Sequence, residues 1–120
     1  MNKKKSVFFV LVAFLTSVVY FLLRRNRKKN LKHIFLSKST VIDVRSPEEY
    51  ALNHFETAIN IPIDELQKIL SKIKTMPKPI VLYCRTGNRS KRALTLLKSN
   101  GIKNIYNGIN QETLENAFSW

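Results

Sequence analysis

Residues 80–99 constrain the fold more than any other part of this chain. Ile80-Val81-Leu82-Tyr83 is an uninterrupted apolar run. It passes into Cys84-Arg85-Thr86-Gly87-Asn88-Arg89-Ser90 and then into a helix-like run, Ser90 to Ser99. Four apolar residues without alternation fit a strand buried on both faces, as in parallel sheets covered by helices. A strand that empties into a helix puts the loop between them at the carboxyl edge of such a sheet, where open α/β folds bind ligands. The only cysteine of the chain stands in that loop. Backbone N–H groups and the dipole at a helix start favour negative charge. A thiol placed there has a lowered pKa and is a usable nucleophile. A lone cysteine is more often a buried hydrophobe, but Arg85, Gly87 and Arg89 are a poor setting for a core residue.

The neighbouring segments read as alternating strands and helices. Val41-Ile42-Asp43-Val44 is a short apolar strand candidate. Ser46-Pro47-Glu48-Glu49 is a helix start, with Ser46 as N-cap, Pro47 at the first position and Glu49 closing a capping box. The short helix would run from Tyr50 to His54. Ala58-Ile59-Asn60-Ile61 is a second strand candidate, stopped by Pro62. Asp64 is placed to cap one helix through Lys74, with Leu66, Ile69, Leu70 and Ile73 on one face. Met76-Pro77-Lys78-Pro79 is a connector. The helix after the cysteine presents Ala93, Leu94, Leu96 and Leu97 and stops at Gly101. Lys103-Asn104-Ile105-Tyr106 is a last short strand, and Gln111 to Phe118 a final helix. The alternation predicts an α/β fold, a small parallel sheet with helices on both faces.

Charge divides the chain. The protein has 120 residues and a formal net charge of +13. Residues 1–32 hold nine basic residues and no acidic one; the other 88 hold 12 basic and 8 acidic, a net of +4. Ser6 to Leu23 is eighteen residues without a charge. As a helix it is about 27 Å long, close to the roughly 30 Å of a bilayer core. A cleaved signal peptide has a shorter apolar region ending in small residues. Here the run continues through Val18-Val19-Tyr20-Phe21 into arginines, which predicts an uncleaved anchor. The expected organisation is a basic flank over residues 1–5, a transmembrane anchor over 6–23, a basic juxtamembrane linker over 24–37 and a folded domain over 38–120. Six basic residues follow the span closely and three precede it, which places the domain in the cytoplasm by the positive-inside rule, with the extracytoplasmic side as the alternative. The basic run is placed to lie on anionic lipid headgroups. It alternates with no aromatic residues for base stacking, so no nucleic-acid partner is expected.

One cysteine excludes an internal disulfide and a multi-cysteine metal site. His33 and His54 lack metal-ligand spacing, so neither metal nor cofactor is expected. Four residues separate Cys84 from Arg89, a ring small enough for its N–H groups to converge on sulfur. Gly87 supplies backbone freedom there. Such donors stabilise a thiolate, and equally a persulfide. Arg85 is the solvent-facing candidate for an anionic substrate. Arg89 either shares that role or ties the loop to the body of the protein. Thr86 offers a hydroxyl or a backbone N–H. Asp43, a carboxylate at a buried strand end, needs a partner, and Arg45 and Arg89 are the candidates.

Val41 to Tyr50, then His54, then Ala58 to Pro62, then Tyr83 to Ser90 together resemble a single-domain rhodanese. The similarity covers roughly residues 40–108. In size and in its N-terminal apolar segment the chain is most similar to the phage-shock protein E type of thiosulfate sulfurtransferase. The resemblance implies a persulfide on Cys84 that moves sulfane sulfur from thiosulfate or a similar donor to a thiol or cyanide. Arg85, Thr86, Gly87, Asn88 and Arg89 would form the substrate loop, with Asp43 and Arg45 as structural residues near it. The chain departs from the family where glycines flank the histidine segment, here Asn53 and Thr57. It departs again at a late double glycine, here Asn107-Gly108. The folded part is short for the family. His54 is read as structural, since an ionised thiol needs no base beside it.

Three other functions share these features. A phosphatase or arsenate reductase on the same fold resembles this loop with one more residue between Cys and Arg, so four favour the smaller sulfur site. A non-catalytic membrane adaptor would not need the intact Cys-x-x-Gly-x-Arg loop. A persulfide carrier serving a specific protein partner would carry the same residues.

Overall fold

The computed structural model describes residues 2–118, apart from the side chains of residues 27–34. The calls on His33 and on the basic side chains Arg27, Lys28, Lys29 and Lys32 lie outside the described residues, as do residues 119–120 at the end of the expected domain. The chain divides into two compact units, Met1–Leu31 and Lys32–Trp120.

Helix α1 spans Lys3–Lys38. Within the first unit its apolar side chains, Val7 to Leu23, are exposed. The stretch Lys3–Asn26 is long and apolar enough to cross a membrane. Thr16 and Ser17, two polar residues within the apolar run, donate their hydroxyls to the Ala13 carbonyl at 2.9 and 2.8 Å. A helix in lipid satisfies such groups internally. Segment 24–37, expected as a linker, is helical throughout. Leu36 is buried and Phe35 stacks edge-on against Tyr106 at 5.1 Å, both within the second unit.

The second unit is built on strands β1 (Thr40–Asp43), β2 (Ile59–Asn60), β3 (Ile80–Cys84) and β4 (Ile105–Asn110). All pairings are parallel, in the order β2-β1-β3-β4. β3 is central and wholly buried, which is why its sequence shows no alternation. Its side chains still alternate in space. Ile80, Leu82 and Cys84 enter one layer with Ile42, Val44, Leu66, Ile73, Ala93 and Leu97. Val81 and Tyr83 enter the other with Leu36, Val41, Phe55, Ala58 and Leu114. Helices α3 (Leu70–Thr75) and α4 (Asn88–Ser99) cover the first face, and α5 (Gln111–Phe118) the second. Helices on both faces of a parallel sheet were expected from the sequence.

Helix α2 (Pro47–Leu52) starts at Ser46 with the full capping box. Glu49 N–H donates to Ser46 Oγ at 3.2 Å, and Ser46 N–H donates to Glu49 Oε2 at 3.0 Å. It ends before His54, because Asn53 is extended at φ −167°. The single helix expected from Asp64 to Lys74 is instead a 3-10 turn over Ile63–Ile69 followed by α3. Asp64 does not cap it. Pro62 occupies the cap position, and Ile69, at φ −123° and ψ 26°, breaks the helical ladder. Leu66, Ile69, Leu70 and Ile73 nonetheless all pack on the sheet. Lys78 closes the end of α3, donating to the carbonyls of Ile73, Lys74 and Met76. Helix α4 stops at Gly101, whose φ of 79° is left-handed.

The last strand runs further than the expected Lys103–Tyr106, because pairing with β3 continues through an irregularity. Leu82 faces Asn107, yet Tyr83 faces Ile109, so Gly108 is the extra residue of a bulge. A Cβ on Gly108 would lie 2.8 Å from Val81 Cγ1 and 2.9 Å from Leu114 Cδ2. Gly108→Ala is therefore expected to destabilise the domain by about 1–3 kcal/mol, read from chemical unfolding followed by circular dichroism.

Candidate active site

Strand β3 carries Cys84 to the carboxyl edge of the sheet, and the chain turns into α4 after three residues. Gly87 is the N-cap of α4 at φ 91° and has no side chain with which to cap. The sulfur takes that part. Gly87 N–H donates to Cys84 Sγ at 3.1 Å and Ser90 N–H, the third of the helix, at 3.4 Å. An N-cap side-chain acceptor normally receives the same third amide. Ser90 Oγ lies 3.5 Å from the sulfur. Cys84 is 2% exposed. Burial pushes its thiol up, and bonds from the Ser90 hydroxyl and the Ser90, Thr86 and Gly87 amides outweigh it, so the net shift is downward. The donors around the sulfur come mostly from the backbone. An L side chain at residue 87 would be strained at that φ, and its Cβ would meet Ile109 Cγ2 at 3.1 Å.

The arginines have separate placements. Arg89 makes a bidentate pair with Glu49, at 2.7 and 2.9 Å, which ties the loop to α2. Arg85 is exposed and, among the described residues, has no ion-pair partner. Thr86 and Asn88 are also exposed. The amide of Thr86 is turned toward the sulfur.

Asp43, fully buried, pairs with Arg45 and not Arg89. It accepts the Arg45 backbone N–H at 2.9 Å, Arg45 Nε at 3.0 Å and the second guanidinium nitrogen at 2.7 Å. Tyr83 Oη donates to Asp43 Oδ2 at 2.8 Å and accepts Phe55 N–H at 3.0 Å. Burial, together with Asp43, drives the Tyr83 pKa well up, so its phenol stays a donor. Arg45 also donates to the Asn53 carbonyl at 2.7 Å, so Asn53, one of the departures from the family pattern, serves here as a backbone acceptor. His54 stacks on the Tyr50 ring, with centroids 3.7 Å apart, and Nδ1 meets the Tyr50 carbonyl at 2.8 Å. Both contacts are structural. His54 lines a cavity of about 330 Å³ with Phe55, Glu56, Thr57, Glu115 and Phe118.

Three residues beside the loop escaped the sequence reading: Glu49, Ser90 and Asn107. Glu49 was legible only as half of a capping box. Ser90 could have been found as the third residue of a helix whose cap position is a glycine. Asn107 lies next to the loop only through the pairing of β4 with β3, for which the sequence carries no signal.

With this geometry in view, the family follows. Residues 24–110 match the rhodanese-like domain, and the chain belongs to that family. Uncharacterized protein YqhL of Bacillus subtilis is 43% identical over 70 residues, covering 58% of this chain and 55% of that protein. A putative mitochondrial thiosulfate sulfurtransferase of Schizosaccharomyces pombe is 39% identical over 83 residues, covering 58% of each. The chain thus spans little more than half the length of these relatives. The solved structure of the human single-domain sulfurtransferase TSTD1 is 31% identical with a TM-score of 0.54, covering 66% of this chain and 83% of that one.

The Arg89 pair makes a stability prediction. Arg89 and the Ser46 amide hold the Glu49 carboxyl down at about 2. A folded-state pKa below the unfolded value of about 4.3 contributes stability that is complete above that value. It is lost as pH falls toward 2. Unfolding midpoints are expected to drop across this window, and Glu49→Gln to flatten that part of the profile.

Proposed function

We propose that the domain is a thiosulfate sulfurtransferase working through a Cys84 persulfide. The observation that carries this is the convergence of the Gly87 and Ser90 amides and the Ser90 hydroxyl on one recessed sulfur. The thiolate attacks the outer sulfur of thiosulfate. The new bond joins Cys84 Sγ to that sulfur, the S–S bond of thiosulfate breaks, and sulfite leaves with its electron pair. The charge then rests on the outer sulfur of the persulfide, next to the same donors. A thiolate or cyanide attacks that outer sulfur, takes it as a persulfide or thiocyanate, and returns the Cys84 thiolate. No proton moves in either step, so no base is required beside the sulfur. Arg85, exposed and without an ion-pair partner among the described residues, meets the anionic donor, while Arg89, occupied by Glu49, holds the loop. Thr86, Gly87 and Asn88 shape the loop backbone, and Asp43 with Arg45 supports it from β1.

The N-terminal helix supports a membrane location. Residues 6–23 act as the anchor, the basic residues of 24–37 lie on anionic headgroups, and the excess of basic charge after the span puts the domain on the cytoplasmic side. Membrane-fraction retention after alkaline wash, with the domain open to protease only in broken cells, is the expected result.

Reduced full-length protein in detergent, treated with thiosulfate, is expected to gain about 32 Da, one sulfur atom. Cys84→Ser should keep its circular dichroism and gain none. A mass gain in that variant would refute Cys84 as the carrier. Arg85→Ala is expected to raise the thiosulfate KM roughly tenfold, the loss of one charge-assisted contact, with a smaller change in kcat.

A further inference from the structure

We infer that Asn107 is a positioning residue of the sulfur seat: it competes with Cys84 for the Ser90 proton and fixes the Gly87 carbonyl at the start of α4. This rests on the sulfurtransferase reading for its consequence, but not for its geometry. The side chain of Asn107 is fixed at both ends. Its Oδ1 accepts Ile109 N–H at 2.9 Å, and its Nδ2 donates to the Gly87 carbonyl at 3.2 Å. The amide cannot flip without setting donor against donor and acceptor against acceptor.

That fixed oxygen governs Ser90. The hydroxyl has one proton and three acceptors near it: Asn107 Oδ1 at 2.7 Å, Gly87 O at 3.1 Å and Cys84 Sγ at 3.5 Å. The Gly87 carbonyl already receives Asn107 Nδ2 and Lys91 N–H, the latter at 3.0 Å, which fills its two lone pairs. The choice for the proton is therefore between Asn107 and the sulfur. With a neutral sulfur it lies on Asn107 Oδ1. With an anionic sulfur the hydroxyl turns to Sγ, as charge-assisted bonds are the stronger. That turn leaves Ser90 Oγ and Asn107 Oδ1, two acceptors 2.7 Å apart, with no proton between them, so Asn107 opposes it.

A second observation supports the assignment. Ile109 sits at φ 69°, a left-handed backbone that costs a β-branched residue of order 1–3 kcal/mol. Its N–H is the one that fixes Asn107 Oδ1, and its side chain packs against Gly87. The bulge at Gly108 is what turns Ile109 this way while leaving Asn107 paired with Leu82. The strained residue and the carboxamide together grip Gly87, the residue whose amide is nearest the sulfur.

The test is the pH dependence of Cys84 alkylation in full-length protein in detergent. Asn107→Ala removes the competing acceptor and is expected to lower the midpoint by about one unit, with alkylation below the native midpoint faster by up to roughly tenfold. Asn107→Asp keeps the shape and the acceptor for Ser90 and Ile109. It sets a carboxylate oxygen against Gly87 O, keeps the competing acceptor and adds negative charge near the sulfur, so it should shift the midpoint upward, opposite to Asn107→Ala. In the Ser90→Ala background, Asn107→Ala should shift it by less than it does in the native protein, because part of its action runs through that hydroxyl. Folded variants, by circular dichroism, that titrate like the native protein overturn the proposal. So does failure of both Asn107 variants to fold, which would make the residue part of the framework. Sulfur loading is read separately by mass. Native protein that takes up no sulfur refutes the sulfurtransferase reading, while the alkylation midpoints still judge Asn107.

Discussion

A fully buried carboxylate is costly without hydrogen-bond partners, and Asp43 meets that demand in a way that organises the whole carboxyl edge of the sheet. Breaking such a buried pair typically costs about 3–5 kcal/mol. Arg45 is held by three of its donors and reaches on to the Asn53 carbonyl beyond α2. Tyr83, from the neighbouring strand, is held by its hydroxyl and in turn holds the Phe55 amide. One buried charge thereby ties β1 to β3 and to both ends of the α2 connection. Helix α2 then presents Glu49 to Arg89, so the position of the cysteine loop is set, through a chain of polar contacts, by a residue on another strand.

The loop has a different economy. A glycine at the cap of α4 leaves helix amides without a side-chain acceptor, and the sulfur supplies it. The same contacts that finish the helix stabilise a negative sulfur, so folding and chemistry draw on one set of donors. Burial opposes ionisation of Cys84 and the donors outweigh it. That balance explains why the seat is small. Each added bond must come from a group already near the helix start, and Ser90, on its first turn, provides two. The two arginines of the loop look equivalent in sequence and are not equivalent in space. Arg89 is held on Glu49, whereas Arg85 points to solvent.

Much of this could be read from the chain. Ile80–Tyr83 announced a doubly buried strand because no polar residue interrupts it. The Ser46-Pro47-Glu48-Glu49 capping box formed as written, since it needs only residues adjacent in sequence. Cys84 was legible as a reactive thiol because strand, loop and helix are consecutive. The 3-10 turn at Ile63–Ile69 was not legible, because its apolar residues satisfy a 3.6-residue period equally well. The partner of Asp43 stayed open between two arginines, since proximity across a fold is not written in spacing.

By itself, the sequence determined the local matters: the alternation of strands and helices after residue 40, where α2 begins, that the N-terminal run is long enough for a bilayer, and that the lone thiol stands at a helix start. Those follow from periodicity, capping and charge within a few residues. Only the tertiary structure decided that Arg89 belongs to Glu49, that Tyr83 shares Asp43 with Arg45, and that Asn107 stands beside Gly87. Each of these joins groups 20 or more residues apart, and such pairings arise only when parallel strands come into register and a bulge at Gly108 shifts β4 by one residue.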